Sequence, residues 1–326
     1  MTIVTYKEAI RQAMADALAA DDTVFMLGED IAAAGGAFKT TEGLMERFGD
    51  QRVLDTPISE QAIIGAAIGA AIRGMRPVAE LMFADFAAVA FDQIANQLAK
   101  YRYMTGGQVT LPVTIRLANG AGAGFASQHS QPVENWFLNV AGLKIVTPGS
   151  PADAYGLFLA AVRDDDPVLF FEHKGMFNRK GELDSGGPAL ELGRAAVVRE
   201  GEDVTVVATQ LMRVRAEEAA EALAEDGISV EVIDPRTLVP LDLETIAASV
   251  ERTSRLVVVQ ESSASGSWGA TVVAGVIDAS FDSLDAPPVM VCADNTPIPY
   301  AGPLEDAWIP SSDRIAAVIR TLVQES

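Results

Sequence analysis

The stretch SEQAIIGAAIGAAIRGMRPVAELMF, residues 59–83, decides the fold class. Its first half is almost wholly apolar, with small residues at helical spacing, and predicts a helix. The apolar run from Val78 to Phe83 predicts a buried strand. A helix followed by a buried strand is typical of an α/β protein whose mostly parallel sheet is covered by helices.

The same alternation of strand and helix patterns continues on both sides of this stretch. Aromatic residues make up only 6% of the chain and hydrophobic residues 49%, so Ala, Val, Ile and Leu supply most of the core. Strands are further predicted at residues 24–27, 109–117, 143–146, 168–172, 204–208, 229–233 and 256–260, and helices at 213–226, 243–251 and 268–282.

A chain of 326 residues exceeds the usual size of one domain, so we expect two. Residues 178–193 read NRKGELDSGGPALELG, lose the periodic pattern and collect Gly, Pro and charge. Such a composition predicts a linker. The predicted domains therefore span residues 1–190 and 191–326.

The chain is strongly acidic, with 45 Asp and Glu against 24 Lys and Arg and a formal net charge of -21. The averaged field repels nucleic acid backbones and anionic lipid surfaces, so neither is an expected partner. The same charge suits docking to a basic protein module.

Cys292 is the only cysteine, which excludes an intrachain disulfide and a CxxC motif. The first residues lack the apolar core of a signal peptide, and no apolar run reaches the ~20 residues of a membrane helix. We therefore expect a cytoplasmic protein.

The segment DTPISEQAIIGAA, residues 55–67, contains the first candidate for chemistry. Pro57 fixes a backbone angle, Ser59 can cap a helix, and Glu60 then lies in the first turn of a very apolar helix. Spacing alone favours a structural role in which the Glu60 carboxylate complements the helix dipole. A catalytic carboxylate is the alternative.

The Gly-rich segment NGAGAGFASQHSQ, residues 119–131, contains the second candidate. It matches neither a dinucleotide-binding nor a P-loop pattern, and a chain with two histidines is a poor candidate for a multi-histidine metal site. His129, between polar neighbours, suits proton transfer near neutral pH. A hydrogen-bonded loop histidine is an equal alternative.

A third segment, ELMFADF at residues 80–86, places Phe83, Asp85 and Phe86 at the carboxyl end of a predicted strand. Ligands favour that end of a parallel sheet. Aromatic residues in such a place are nevertheless more often part of the core.

These segments together closely resemble the β subunits of the thiamin-diphosphate-dependent, decarboxylating components of pyruvate, branched-chain 2-oxo acid and acetoin dehydrogenase complexes. The resemblance covers essentially the whole chain and implies a transketolase-like pyrimidine-binding domain followed by a transketolase C-terminal domain. The motifs that carry it, in the family's order, are GED at 28–30, DTPISE at 55–60, FADF at 83–86, FDQI at 91–94, KYRYMTGG at 100–107, QHSQ at 128–131 and IDPRTLVPLD at 233–242.

The resemblance implies a role for each candidate residue. Glu60 corresponds to the carboxylate that hydrogen-bonds the aminopyrimidine ring of thiamin diphosphate and so promotes formation of the reactive ylid. His129 corresponds to a histidine that guides the substrate or moves a proton as the acyl group passes to lipoamide. The other residues expected to contact the cofactor are Phe86, against the pyrimidine, with Ile58 and Ser59 beside it, and Glu29, for which a structural ion pair is equally plausible.

The chain lacks the GDG motif, followed by an Asn-containing segment, that holds magnesium and the cofactor diphosphate in this family. The resemblance therefore implies that an α subunit supplies those ligands in a heterotetramer of two α and two β chains. It also implies docking to the subunit-binding region of a lipoyl acyltransferase core. Family members can bind potassium near the turn that holds Asp164 and Asp166, although a solvated acidic turn is a comparable alternative.

The resemblance implies cleavage of a carbon-carbon bond in a small substrate and transfer of the acyl fragment to a lipoyl group. The ELMFADF segment, with Met82 after Leu81, resembles acetoin dehydrogenase β subunits more than branched-chain ones. We therefore rank acetoin first, pyruvate second and branched-chain 2-oxo acids third. A single-chain transketolase-like enzyme is disfavoured by the missing motif, and a non-catalytic scaffold of the same fold is disfavoured by the presence of both Glu60 and His129.

Overall fold

The computed structural model describes residues 1–184 and 186–325. The chain folds into two compact units. Unit 1 consists of residues 1–119 and 136–192, and unit 2 consists of residues 120–135 together with the chain from Gly193 onwards. The short segment 120–135 is therefore part of unit 2, although it lies between two stretches of unit 1.

Unit 1 is built on a parallel sheet with helices. Its strands are β1 (Thr2–Thr5), β2 (Val24–Gly28), β3 (Val53–Asp55), β4 (Arg76–Leu81), β5 (Thr114–Asn119), β6 (Lys144–Val146), β7 (Val168–His173) and β8 (Lys180–Leu183). Its helices are α1 (Tyr6–Ala20), α2 (Leu44–Phe48), α3 (Glu60–Ile72), α4 (Ala99–Met104) and α5 (Pro151–Arg163).

Within unit 1 the strands run in the order β6-β7-β5-β4-β2-β3, and each neighbouring pair is parallel. Residues of β4, β5 and β7 are almost all buried, as expected for strands with both faces covered. A separate antiparallel pair joins β1 to β8. The parallel sheet brings the carboxyl ends of β2, β3 and β4 to one edge.

Unit 2 contains a second, smaller sheet in the order β14-β13-β10-β11-β9, in which only β9 is antiparallel to its neighbour. Its strands are β9 (Ala196–Arg199), β10 (Val204–Ala208), β11 (Val230–Asp234), β12 (Thr237–Val239), β13 (Leu256–Gln260) and β14 (Val289–Cys292). Its helices are α6 (Gln210–Ala224), α7 (Leu243–Thr253), α8 (Trp268–Ser280), α9 (Gly302–Trp308) and α10 (Ser312–Glu325).

The predicted α/β class is confirmed in both units. Strands β10 and β13 have the predicted limits, and both consist of buried residues. Within the described chain, every helix is too short or too polar to span a lipid bilayer.

The segment predicted as a linker is only partly irregular. Its first residues form β8, which pairs with β1 at the start of the chain. Residue 185 of this segment lies outside the described residues. The domain boundary near residue 190 stays a prediction, and the compact units differ from it by placing residues 120–135 with unit 2.

Candidate active site

Three of the predicted segments meet at the carboxyl edge of the unit 1 sheet. Gly28, the last residue of β2, is in register with Asp55 on β3 and Glu80 on β4. Glu29 directly follows β2, the turn to Glu60 follows β3, and the Phe83–Phe86 segment follows β4. Because parallel strands end at the same edge, these segments surround one region where α/β proteins commonly bind ligands.

Glu60 is the first residue of α3 and is only 8% exposed. Ile63 and Ile64, three and four residues further along, are also buried, so Glu60 shares its face of α3 with apolar side chains. The backbone N–H of Ile63 donates to the carbonyl of Ser59 at 2.9 Å. A buried carboxylate at a helix N-terminus is both stabilised by the helix dipole and able to accept a strong hydrogen bond.

Ser59 and Ile58, the two residues before Glu60, do not cap the helix through their side chains. Ser59 is at the N-cap but its side chain makes no capping hydrogen bond, so the predicted cap is wrong. Its backbone angles, φ -165° and ψ 84°, differ from the usual N-cap geometry. The side chain of Ile58 is 82% exposed in the described chain and is therefore available for contact with another molecule.

Glu29 and Glu60 form a pair of electrostatically coupled acids. Glu29 is 9% exposed. Burial raises the pKa of the Glu29 carboxyl above its usual value, and the negative charges of Glu60 and Asp30 raise it further. Mutual repulsion of this kind favours a proton on one member of a pair, which is a common arrangement where carboxyl groups take part in proton transfer.

A buried ion cluster lies next to this pair on the neighbouring strands. Arg116 on β5 donates to Glu80 on β4 and to both carboxylate oxygens of Glu172 on β7. Burial raises the pKa of Glu80, and nearby Glu172 and Glu29 add to that rise against the opposing charge of Arg116. The Glu172 and Glu80 carboxylates raise the pKa of Arg116 despite its burial, so the guanidinium stays charged.

Phe86 lies in a short 3₁₀ helix, Ala84–Ala88, directly after β4, and is half-buried. Its ring meets that of Phe83 edge-on, with the ring centroids 6.0 Å apart and the planes at 87°. Phe83 in turn meets Phe38 edge-on at 5.7 Å. This cluster provides an aromatic surface at the same sheet edge as Glu60.

His129 lies in unit 2, on the irregular segment 120–135. It is half-buried, and its backbone N–H donates to the carbonyl of Ala126 at 3.3 Å. Ala126 has φ 61°, which closes a tight turn just before the histidine. Glu60 and His129 thus belong to different units of the chain.

The acidic turn after α5 is occupied by ion pairs. The Nζ of Lys144 is 2.5 Å from an Asp164 oxygen and 3.7 Å from an Asp166 oxygen, and Arg102 pairs with Asp166. An Arg76 Nη1 donates to the carbonyl of Asp164 at 3.1 Å. The predicted potassium site stays a prediction, and the positive charges around both carboxylates disfavour binding of a cation there.

Metal ligands do not cluster elsewhere in the part of the chain that is described. Among residues 1–184 and 186–325, no three side chains of His, Cys, Asp or Glu are arranged to hold a metal ion.

Several buried charged residues near the candidate site residues were not predicted from the sequence. Glu80 and Arg116 lie within apolar strand runs, and a charge in such a run is a signal of an internal ion pair. Glu261 and Glu305 accept hydrogen bonds from the backbone of the Gly-rich segment. Their sequence neighbourhoods carry no comparable signal.

Comparison with known proteins agrees with this arrangement. Residues 3–180 match the model of the transketolase pyrimidine-binding domain, and residues 193–315 match that of the transketolase C-terminal domain. A structure described as a split-gene transketolase, an inactive β4 tetramer, has a TM-score of 0.79 and covers 98% of both chains. At 23% identity it supports the fold alone.

Curated relatives are similar over nearly their full length. The acetoin:2,6-dichlorophenolindophenol oxidoreductase subunit beta of Cupriavidus necator is 48% identical, over 97% of this chain and 96% of that one. The 2-oxoisovalerate dehydrogenase subunit beta of Bacillus subtilis is 44% identical, over 99% and 100%. The pyruvate dehydrogenase E1 component subunit beta of Rickettsia conorii is 44% identical, over 97% of each chain. With both domains matched and relatives of this similarity, the protein belongs to the family of β subunits of acetoin, pyruvate and 2-oxo acid dehydrogenase E1 components, which are oxidoreductase subunits.

Proposed function

We propose that this chain is the β subunit of a thiamin-diphosphate-dependent acetoin dehydrogenase, and that Glu60 is its cofactor-activating acid. The observation that carries the proposal is a buried carboxylate at the start of α3, coupled to Glu29 at the carboxyl edge of the sheet. An aromatic surface at Phe86 stands at the same edge. A carboxylate acceptor and an aromatic surface at one sheet edge suit an aminopyrimidine ring, which can donate to the carboxylate and pack its face against the aromatic side chain.

In this proposal the residues of unit 1 bind and orient the cofactor. When bound, thiamin diphosphate supplies a carbon nucleophile and an electron sink for cleavage next to a carbonyl. Glu60 would accept a hydrogen bond from a ring nitrogen that carries a proton, as in the imino form of the ring, and its burial would strengthen that bond by excluding water. Phe86, Ile58 and Ser59 pack around the ring, and Glu29 lies close enough to Glu60 for the Glu60 charge to raise the pKa of Glu29.

His129 is the proposed proton carrier or substrate guide. It lies on a loop with polar neighbours, and imidazole is the side chain that exchanges protons most readily near neutral pH.

The names of the relatives as β subunits imply an α subunit as partner. We further propose a heterotetramer of two α and two β chains in the cytoplasm, in which the α chain holds magnesium and the cofactor diphosphate. The formal charge of -21 supports docking of a basic subunit-binding region from a lipoyl acyltransferase core. Potassium binding at Asp164 and Asp166 is left out of the proposed function, because those carboxylates are already paired with Lys144 and Arg102.

Acetoin is the proposed substrate because the relative from Cupriavidus necator is 48% identical, compared with 44% for those named after 2-oxoisovalerate and pyruvate. Pyruvate is the second candidate and branched-chain 2-oxo acids the third. The test is turnover of acetoin, pyruvate and 2-oxoisovalerate by the β chain assembled with its α subunit, using reduction of 2,6-dichlorophenolindophenol as the signal. The highest kcat/KM is expected with acetoin, and a preference for either oxo acid would reverse the ranking.

Glu60→Gln tests the proposed role of the acid. Removing the charge while keeping the shape should lower kcat by about 100-fold or more, a typical range for loss of acid-base catalysis, and leave assembly intact. Asp153→Asn is the matched control, because Asp153 is a buried acid in the first turn of α5 in the same unit. An assembled Glu60→Gln variant with the activity of Asp153→Asn would contradict the proposal.

A further inference from the structure

The loop that carries His129 is fastened by acids from distant parts of unit 2. The Oε1 of Glu305 accepts from the backbone N–H of Gly122 at 2.9 Å. Its carboxylate also accepts from the N–H of Gly124, at 3.1 Å to Oε2 and 3.4 Å to Oε1. One carboxylate therefore binds two amides that lie five and seven residues before the histidine.

Glu305 is unusual for an acid in being only 4% exposed. Burial of a carboxylate is costly unless hydrogen bonds replace its water, and bonds from backbone amides to a charged acceptor are strong enough to do so. Its helix, α9, is itself fixed because Trp308 is buried and donates from Nε1 to the carbonyl of Asp294 at 3.1 Å. The helix that carries the Glu305 carboxylate is thus held by contacts of its own, separate from those with the loop.

A second buried acid holds the neighbouring amide. Glu261, which directly follows β13, accepts from the N–H of Ala121 through Oε1 at 2.6 Å. Ala121 is fully buried in the hydrophobic core of unit 2. The start of the loop is therefore fixed both by apolar packing and by carboxylates from two separate elements.

The loop is also attached to unit 2 just before and just after the histidine. The Ser127 Oγ donates to the carbonyl of Ile298 at 2.6 Å. Asn135 donates through Nδ2 to the Ser262 Oγ at 2.7 Å and accepts from the N–H of Trp268 at 2.9 Å. His129 consequently lies between two attachments to the same unit, so its location depends on unit 2.

The glycines explain why carboxylates can reach the backbone here. Gly122 has φ 85° and Gly124 has φ 74°, both in the left-handed region that favours glycine. Alternation of such residues turns successive N–H groups toward one side of the chain, where they form a concave binding place for an anion. In this protein the anion is the Glu305 side chain.

We propose that Glu305, assisted by Glu261, is a positioning residue that holds the loop 120–135 and thereby sets the place of His129 during the reaction. The inference rests on the proposed function, because it uses the catalytic role of His129. It gives unit 2 a part in the chemistry as well as in folding.

The test compares Glu305→Ala and Glu305→Gln in the protein assembled with its α subunit. Hydrogen exchange of peptides from residues 120–135 reports the loop, and kcat and KM report the reaction. Glu305→Ala should speed exchange in this loop and lower kcat by about 100-fold, the scale expected for a catalytic group displaced by roughly 1 Å. Glu305→Gln retains an acceptor oxygen of the same shape, so it should restore slow exchange and most of kcat.

Glu231→Gln is the matched control, because Glu231 is a buried acid of unit 2 that pairs with Ser249 and Arg252 and does not bind the loop. It should lower stability without changing loop exchange or kcat. Wild-type exchange of residues 120–135 in Glu305→Ala would overturn the proposal, as would faster loop exchange with an unchanged kcat. If Glu305→Ala fails to assemble, Glu305→Asp takes its place, because the shorter side chain keeps the charge but draws the carboxylate away from the Gly122 and Gly124 amides. Faster loop exchange together with a lower kcat than in Glu231→Gln supports the proposal, and wild-type values of both overturn it.

The outcome is separable from that of the proposed function. An assembled wild-type protein without turnover of acetoin, pyruvate or 2-oxoisovalerate would refute the proposed function. In that case exchange of the loop in the Glu305 variants still decides whether the carboxylate holds it.

Discussion

Arg116 and Glu172 form a bidentate ion pair, in which Nε donates to Oε1 at 2.6 Å and Nη2 donates to Oε2 at 2.8 Å. Both side chains are buried, and Glu80 accepts a further bond from the same guanidinium. One cation is therefore shared by two carboxylates on neighbouring strands. A buried group of this kind depends on all of its members, because a charge left without its partner is not rehydrated.

Arg116→Met should therefore destabilise the protein by about 3–5 kcal/mol, since it leaves Glu80 and Glu172 buried without a cation. The urea midpoint of unfolding measures the loss. Arg320→Met is the control, because the Arg320 and Asp226 pair is exposed and such pairs contribute about 1 kcal/mol or less. Equal losses in the two variants would contradict the prediction, because the buried cluster would then depend on its cation no more than an exposed ion pair does.

The raised pKa of Glu29 predicts a pH dependence of stability. A carboxyl whose folded pKa lies above its unfolded value favours folding while protonated, and that contribution is lost as the pH rises through the folded pKa. Glu29→Gln removes the titration, so the variant should gain unfolding temperature over the wild type above the folded pKa. The gain should vanish below the ordinary value of 4.5. A difference that is constant from pH 4 to 7 would contradict the assigned shift.

Gly142→Ala should destabilise unit 1 severely. Gly142 has φ 101°, and a Cβ there would lie 2.0 Å from the carbonyl oxygen of Ala99. Two effects act at Gly142, backbone strain from the positive φ and the clash of the Cβ. Gly74→Ala isolates the strain, because Gly74 has φ 92° and open space around a Cβ. In Gly74→Ala the free energy of unfolding should fall by about 1–2 kcal/mol from backbone strain alone. In Gly142→Ala it should fall clearly further in the same denaturation experiment.

The ion pairs of the acidic turn predict insensitivity to potassium. Arg76 Nη1 donates to the carbonyls of Val162 and Asp164, each at 3.1 Å. These carbonyl oxygens are therefore already hydrogen-bonded to a positively charged group. Unfolding temperatures in potassium and sodium chloride of equal ionic strength should coincide. A rise specific to potassium, lost in Asp164→Asn, would establish the site instead.

The sequence predicted best those elements whose evidence is local. Strands β10 and β13 are short runs of β-branched residues between turns, and their limits agree with the prediction. Strand β5 begins at Thr114, five residues later than predicted. The N–H of Val113 instead donates to the carbonyl of Leu111 at 2.7 Å, a tight turn around Pro112, which has no N–H for a strand.

Features that depend on distant partners were not predictable in the same way. Strand β8, Lys180–Leu183, forms because it pairs with β1 near the start of the chain. The local composition of residues 180–183 suggests only a linker. The attachment of the Gly-rich loop depends on Glu261 and Glu305, more than 130 residues further along the chain. Residue types identified candidates for the site, whereas the burial of Glu60 and its coupling to Glu29 became visible only in the structure.

The path of the chain between the two units restricts how the gene can be divided. The polypeptide leaves one unit for the other after residues 119, 135 and 192. A gene cut only at 192 would give a C-terminal half without the sixteen residues, 120–135, that complete it. Recombination that exchanges only the part after residue 192 between relatives would therefore separate Glu261 and Glu305 from the amides of Ala121, Gly122 and Gly124 that they bind, so we expect chimeras to fold best when both pieces come from one parent.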